Sequence, residues 1–182
     1  MTPSRACSRR QRGVTLIEVL VTLVLLLVGL LGLAALQNRA QMLETESYQR
    51  EQALVLMRDI VSRINANRSN AASYVTGGAL GTSSTKDCSA PANMADTDLC
   101  QWDSLLKGAA ETLNGNRVGV MIGARGCVSS PATDQYLVQV VWQGLVATAA
   151  PPGSVDCGSG LYGSETYRRA VTSVVQIGIL SP

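Results

Sequence analysis

An uncharged run from Val19 to Leu36, with one carboxylate, Glu18, at its N-terminal mouth, constrains this chain more than any other feature. As a helix, those 18 residues rise about 27 Å, close to the hydrocarbon thickness of a bilayer. An ordinary secretory signal has an apolar core of about 7–15 residues followed by a small-residue cleavage site. Ala34-Ala35-Leu36 fits that pattern poorly. A generic single-pass anchor fits poorly too, because a carboxylate at membrane depth costs about 3 kcal/mol on insertion scales. Glu18 therefore calls for a partner.

Arg5, Arg9, Arg10 and Arg12 precede the run with no acid among them. The positive-inside tendency then keeps this leader in the cytoplasm and sends the bulk of the chain across the membrane. The leader, Gly13, and the following Val14-Thr15-Leu16-Ile17-Glu18-Val19-Leu20-Val21 together resemble the class III signal of type IV pilins and type II secretion pseudopilins. The resemblance implies cleavage after Gly13 by a prepilin peptidase, N-methylation of the new terminus, and Glu18 as the fifth mature residue. Val14 stands where that family usually has phenylalanine, and the chain contains no Phe. The stretch Leu30-Leu31-Gly32-Leu33-Ala34-Ala35-Leu36-Gln37 is similar to that of minor pilins of the PilV type. That likeness implies partnership with other minor pilins and the major pilin, in a complex that primes pilus assembly and sits in the pilus or at its tip.

The spacing supports the same expectation. A cut after Gly13 creates an amine at Val14, one helical turn from Glu18, so each subunit carries a cation and an anion near one depth. Pairing Glu18 with the Val14 amine of a neighbour removes two desolvated charges together and fixes axial register. Gly29 and Gly32 each cost about 1 kcal/mol of helix propensity relative to alanine. Two readings stand for them: close helix packing in lipid, and the local unwinding on assembly that the pilin likeness implies. Cleavage takes four of the 15 Lys and Arg, leaving 11 against 13 acids. A slightly acidic mature chain gives no reason to expect nucleic acid as a partner.

Beyond Gln37 the pattern becomes amphipathic. Ala53, Leu54, Met57, Ile60, Val61 and Ile64 recur at spacings of three and four, and no proline lies between residues 14 and 66. One helix of about 50 residues follows, roughly 75–80 Å long. Residues 67–98 are rich in Ser, Thr, Asn and Gly and read as a long loop. Leu99 to Leu113 reads as a short helix with Trp102 as a packing anchor, capped by Asp96, Thr97 or Asp98 and ended by Asn114-Gly115. Arg117–Gly123, Tyr136–Trp142 and Arg169–Ile179 alternate as strands, separated by polar loops over Cys127–Gln135 and Leu145–Tyr167.

The expected fold is α+β and type IV pilin-like, with a long N-terminal helix packed on a small, three-stranded antiparallel sheet. Its divisions are a cleaved leader (1–13), a transmembrane or filament-core helix (14–36), the amphipathic half of that helix (37–66) and a globular domain with disulfides (67–182). Cys7 leaves with the leader, so Cys88, Cys100, Cys127 and Cys157 remain. A zinc site is disfavoured by the absence of Cys-x-x-Cys and of any histidine, and an oxidising compartment favours disulfides. Of three connectivities, Cys88–Cys100 with Cys127–Cys157 is preferred, because each closes a loop rich in Ser, Gly, Pro or Asp.

Catalysis finds little support. No histidine supplies a general base, and no nucleophile elbow, phosphate loop or dinucleotide fingerprint is present. No enzyme activity, cofactor or metal is expected. The competing readings are a minor pseudopilin of type II secretion, a tip subunit that binds a ligand through Cys127–Tyr167, and a plain membrane-anchored periplasmic domain.

Overall fold

The computed structural model describes residues 13–110, 112–117 and 121–178. Its elements in chain order are α1 (Leu16–Ala66), a 3-10 segment (Arg68–Tyr74), β1 (Leu80–Gly81), α2 (Met94–Leu106), β2 (Thr112–Leu113), β3 (Asn116–Arg117), β4 (Arg125–Ala132), β5 (Gln135–Gln143), a second 3-10 turn (Glu165–Tyr167) and β6 (Arg168–Gln176). The chain divides into two units, Met1–Leu43 and Glu44–Pro182.

The first unit is described as the N-terminal part of α1. Its apolar window has a mean hydropathy of 3.0 and none of it is buried. Gly29 and Gly32 are helical like their neighbours, and a Cβ at either would meet nothing within 4 Å.

In the second unit, α1 buries one stripe made of Gln49, Ala53, Leu56, Met57, Ile60 and Ile64. Leu54 and Val61, which the periodicity placed in that stripe, are only partly buried. The stripe joins a single core with Leu99, Trp102 and Leu106 of α2, with Tyr136, Val138, Val140 and Trp142 of β5, and with Val171 and Val175 of β6. Trp102 is fully buried, and its indole Nε1 donates to the Leu56 carbonyl at 2.9 Å, fastening α2 to α1. The sheet is antiparallel in the order β1-β4-β5-β6, so it has four strands where the sequence suggested three.

Three local readings are corrected. The short helix starts earlier, at Met94, where Asn93 Oδ1 accepts from Asp96 N at 2.9 Å as N-cap. It also stops earlier, at Leu106. Residues 112–117 instead form a hairpin in which Asn114 (φ 50°) and Gly115 (φ 79°) make the left-handed turn, the usual role of Asn-Gly between two short strands. The expected strand Arg117–Gly123 falls partly outside the described residues, and Met121–Gly123 is not strand. The segment read as a loop, Cys127–Gln135, instead supplies most of β4. Its nearest neighbours explain this: β5 pairs with it from Arg125↔Val141 to Ser129↔Leu137, so a Ser-rich strand is held by its partner's ladder and not by its own propensity.

The sheet also buries part of its second face. The connection from Gly144 to Tyr167 lies over it, placing Val155, Cys157 and Tyr162 against Val141 in a small second core. Polar ties hold the connection down. Arg168 Nη1 donates to the carbonyls of Val155 (2.7 Å) and Cys157 (3.1 Å), Gln139 Nε2 donates to Asp156 Oδ1 (2.9 Å), and Tyr162 Oη donates to the Gly123 carbonyl (2.8 Å). The Arg125 guanidinium stacks 5.1 Å from the Tyr162 ring centroid.

Candidate assembly and processing site

Gly13 and Val14 lie in exposed, non-helical backbone immediately before α1. Thr15 then opens the helix: its carbonyl accepts from Glu18 N at 3.0 Å and from Val19 N at 3.3 Å, and its Oγ1 lies 3.4 Å from Glu18 N. Thr15-Leu16-Ile17-Glu18 has the Ser/Thr-x-x-Glu form of a capping box, a signal that the spacing argument for Glu18 passed over. Glu18 is the acidic residue of the first turn, where the positive end of the helix dipole favours a carboxylate. From Leu16 through Leu36, the large apolar side chains are all exposed, Leu16 by 84% and Leu31 by 71%. An apolar surface this long is stable only against lipid or against other helices.

The four domain cysteines form two disulfides in the second unit. Cys88 bonds Cys100 with Cα atoms 5.7 Å apart, and Cys127 bonds Cys157 with Cα atoms 5.8 Å apart. The first ties the loop before α2 to that helix. The second ties β4 to the connection over the sheet. Among the described residues no group of His, Cys, Asp and Glu is arranged to hold a metal ion. A shallow groove of about 380 Å³ lies beside the second disulfide, between Thr76–Ala79 and Asp156–Leu161.

Two polar constellations were not legible from the sequence. Arg63 near the end of α1 donates Nη1 to Asp98 Oδ1 (2.7 Å) and to Gln101 Oε1 (2.6 Å), and Nε to Asp59 Oδ2 (2.9 Å). The fully buried Tyr74 donates to the other Asp98 oxygen at 2.5 Å. Burial and the Asp98 carboxylate both push the Tyr74 hydroxyl above its ordinary pKa, so it stays a donor. In the second constellation, Glu46 Oε1 accepts from Leu145 N (3.0 Å), Val146 N (3.4 Å) and Arg169 Nη2 (3.2 Å), joining α1 to the start of the connection. Its arginine partner is 123 residues away in sequence, which is why a helix-surface acid gave no signal.

The sequence-derived site residues thus divide. Gly13, Val14 and Glu18 stand together at the head of the first unit, and the cysteines brace the second. Residues 8–34 match the family model for the prokaryotic N-terminal methylation motif. Residues 35–105 match the model described as type IV pilin Tt1218. No curated protein and no solved structure matches the chain. The two family matches run on without a gap from the basic leader through the long helix to the end of α2, over an α+β fold with a small antiparallel sheet, and the chain is a member of the type IV pilin family.

Proposed function

We propose that this pilin is a minor subunit, cut after Gly13, methylated at Val14, and held in the inner membrane with its second unit in the periplasm until it enters a type IV pilus. The observation that carries this reading is the exposed apolar face from Leu16 to Leu36 with Glu18 as its one carboxylate, directly after Gly13-Val14. In lipid the run spans; in a filament the same surface packs against the helices of neighbours. Glu18 accepts the Val14 amine of an adjacent subunit, and the paired charges set where one helix stops sliding past the next. The minor role and the priming of assembly in concert with other minor pilins rest on the Leu30–Gln37 likeness to PilV-type sequences.

Mass spectrometry of the protein recovered from sheared pili tests this reading: the expected chain starts at N-methylated Val14. A chain that retains the Gly13–Val14 bond, or starts near Ala35, would falsify it. The assembly role has its own test. Loss of one partner of a desolvated ion pair costs about 3–5 kcal/mol, so Glu18→Ala and Glu18→Gln should both lower the amount in pili by more than tenfold, leaving the membrane-bound pool intact. Normal incorporation of either variant removes the pairing from the mechanism.

A further inference from the structure

The loop from Thr82 to Asn93 lies along one face of α2 without entering the core. None of its residues is buried. Its contacts with the helix fall on Asp96, Cys100 and Lys107, spaced by four and seven residues and so on one face. The Lys86 ammonium pairs with Asp96, the Lys107 ammonium donates to the Ser84 carbonyl at 3.4 Å, and Cys88 is bonded to Cys100. The Lys86 and Asp96 side chains are partly exposed, and ion pairs in that setting contribute little. The disulfide is the strongest of these ties.

The two disulfides differ in access and in what lies behind them. Cys88 is exposed and lines an open groove of about 520 Å³ with Pro91, Thr97, Gln101 and Leu105, whereas Cys100 is 7% exposed. Neither end of the other disulfide is exposed: Cys127 is half-buried, and Cys157 is 3% exposed and packed with Val141, Val155 and Tyr162. Exchange with a thiol depends on access to the sulfur attacked. Opening Cys127–Cys157 disturbs a core, and opening Cys88–Cys100 releases only a loop with no buried side chain. We propose that Cys88–Cys100 is a thiol-exchange site, opened by a dithiol reductant that attacks Cys88 Sγ, and that opening it frees the Thr82–Asn93 loop while the rest of the domain stays folded.

The exchange balances within the two reactants. One thiolate of the dithiol bonds to Cys88 Sγ, the Cys88–Cys100 bond breaks, and its electron pair leaves with Cys100, which takes a proton. The second thiol then attacks the mixed disulfide and releases Cys88, so the dithiol is oxidised to a disulfide and the chain gains two electrons and two protons. Both ends of the loop are held by contacts that do not pass through sulfur. At one end Gly81 N donates to Asp103 Oδ1 at 2.7 Å and Thr82 N to the Ala124 carbonyl at 2.8 Å; at the other, Asn93 Oδ1 accepts from Asp96 N at 2.9 Å. Leu99, Trp102 and Leu106 keep α2 in the core whatever the loop does. The opening is therefore local, of the kind that segments with few buried contacts undergo below the cost of global unfolding. It uncovers the Asp96–Cys100 turn, between the groove beside Cys88 and a second of about 510 Å³ that the loop lines with Ser84, Thr85 and Lys86.

The test uses the full chain in detergent, with Cys7 alkylated beforehand and dithiothreitol as the dithiol. Samples quenched over time with iodoacetamide are mapped by peptide mass spectrometry. Cys88 and Cys100 should become alkylated at least tenfold faster than Cys127 and Cys157; equal rates, the reverse order, or no opening before the chain unfolds overturn the proposal. When only the first pair is open, amide hydrogen exchange should rise at least tenfold within residues 82–93 and stay unchanged in β5 and over Val155–Tyr162. A rise that spreads to those segments overturns the local opening. Brief treatment with glutathione, a monothiol, reads the point of attack: the adduct should sit on Cys88 with Cys100 alkylated, and an adduct mainly on Cys100 overturns the assignment. The variant Cys88→Ser with Cys100→Ser should keep a cooperative thermal transition and show the exchange pattern of the opened chain. A variant that does not fold shows that the disulfide holds the core and overturns the proposal too.

Discussion

Gly126 sets how closely α2 approaches the sheet. A Cβ built there would meet the Trp102 ring, with Cζ2 at 2.7 Å, Cζ3 at 2.8 Å and Cη2 closer still. The ring has no easy retreat, because it is fully buried and its Nε1 is bonded to the Leu56 carbonyl. Overpacking of a well-filled core costs about 1–3 kcal/mol, and Gly126→Ala is expected at the upper end of that range, read as a lower denaturation midpoint at unchanged slope. Gly78→Ala is the control. Its Cβ would meet nothing within 4 Å, so its effect should stay within about 0.5 kcal/mol. Trp102→Phe removes the atoms that a Cβ at 126 would strike, so the pair with Gly126→Ala should be less destabilising than the sum of the singles. Trp102 was legible in the sequence as an anchor. The glycine was not, because the bulk it accommodates lies 24 residues earlier in the chain.

At the scale of elements, the connection from Gly144 to Tyr167 behaves as a strapped layer. Glu165 accepts from Gly160 N at 2.7 Å and from Arg168 Nε at 2.5 Å, and these hydrogen bonds, the amide first, hold its carboxyl below the ordinary value of 4.5. The Lys86 ammonium, and then the Ala92 amide, likewise lower Asp96 from 3.8 at the start of α2. A carboxylate with a depressed folded pKa contributes stability above its unfolded value, and that contribution disappears as pH falls through the folded value. Glu165→Gln should therefore lower Tm at pH 6, and the gap to the parent should close as pH drops well below 4.5. A gap that stays constant with pH would assign the effect to packing. Removing the second strap, by Cys127→Ser with Cys157→Ser, should cost about 2–4 kcal/mol and raise hydrogen exchange over Val155–Tyr162 most. Elements with strong local patterning were readable in advance: α1, and β5 and β6 through Tyr136–Trp142 and Val171–Val175. β4 was missed because Gly126, Ser129, Ser130 and Pro131 carry a turn composition that a central partner strand overrides. The hairpin at Asn114-Gly115 is not read from the sequence although its dipeptide is a hairpin signal, because the apolar spacing of Leu105, Leu106 and Leu113 carries the helix about two turns past its observed end at Leu106.

For the whole molecule, the decisive fact is where burial begins. Among the described residues, every buried side chain lies at or after Gln49, and Glu46 ties α1 to the sheet and its connection. The apolar surface before Leu36 contributes nothing to the core, so the fold of the second unit and the membrane or filament behaviour of the first are separable in energy although one helix runs through both. A chain beginning at Gln37 keeps Glu46, Gln49 and the whole buried stripe. It should be soluble without detergent and retain its denaturation free energy to within about 0.5 kcal/mol, with the fraying of one or two helical turns as its only loss. A chain beginning at Leu54 discards Gln49, Ala53 and the Glu46 ties to Leu145, Val146 and Arg169. Deleting that much buried contact removes more than the whole margin of a domain held by about 5–15 kcal/mol, leaving the two disulfides to constrain a chain without cooperative unfolding. The discriminating measurement is the thermal transition of both fragments, oxidised and free of detergent. A shorter fragment that still melts cooperatively would show that α2 and the sheet form a core without α1, and an insoluble longer one would show that the apolar run before Leu36 has a folding role as well as an assembly role.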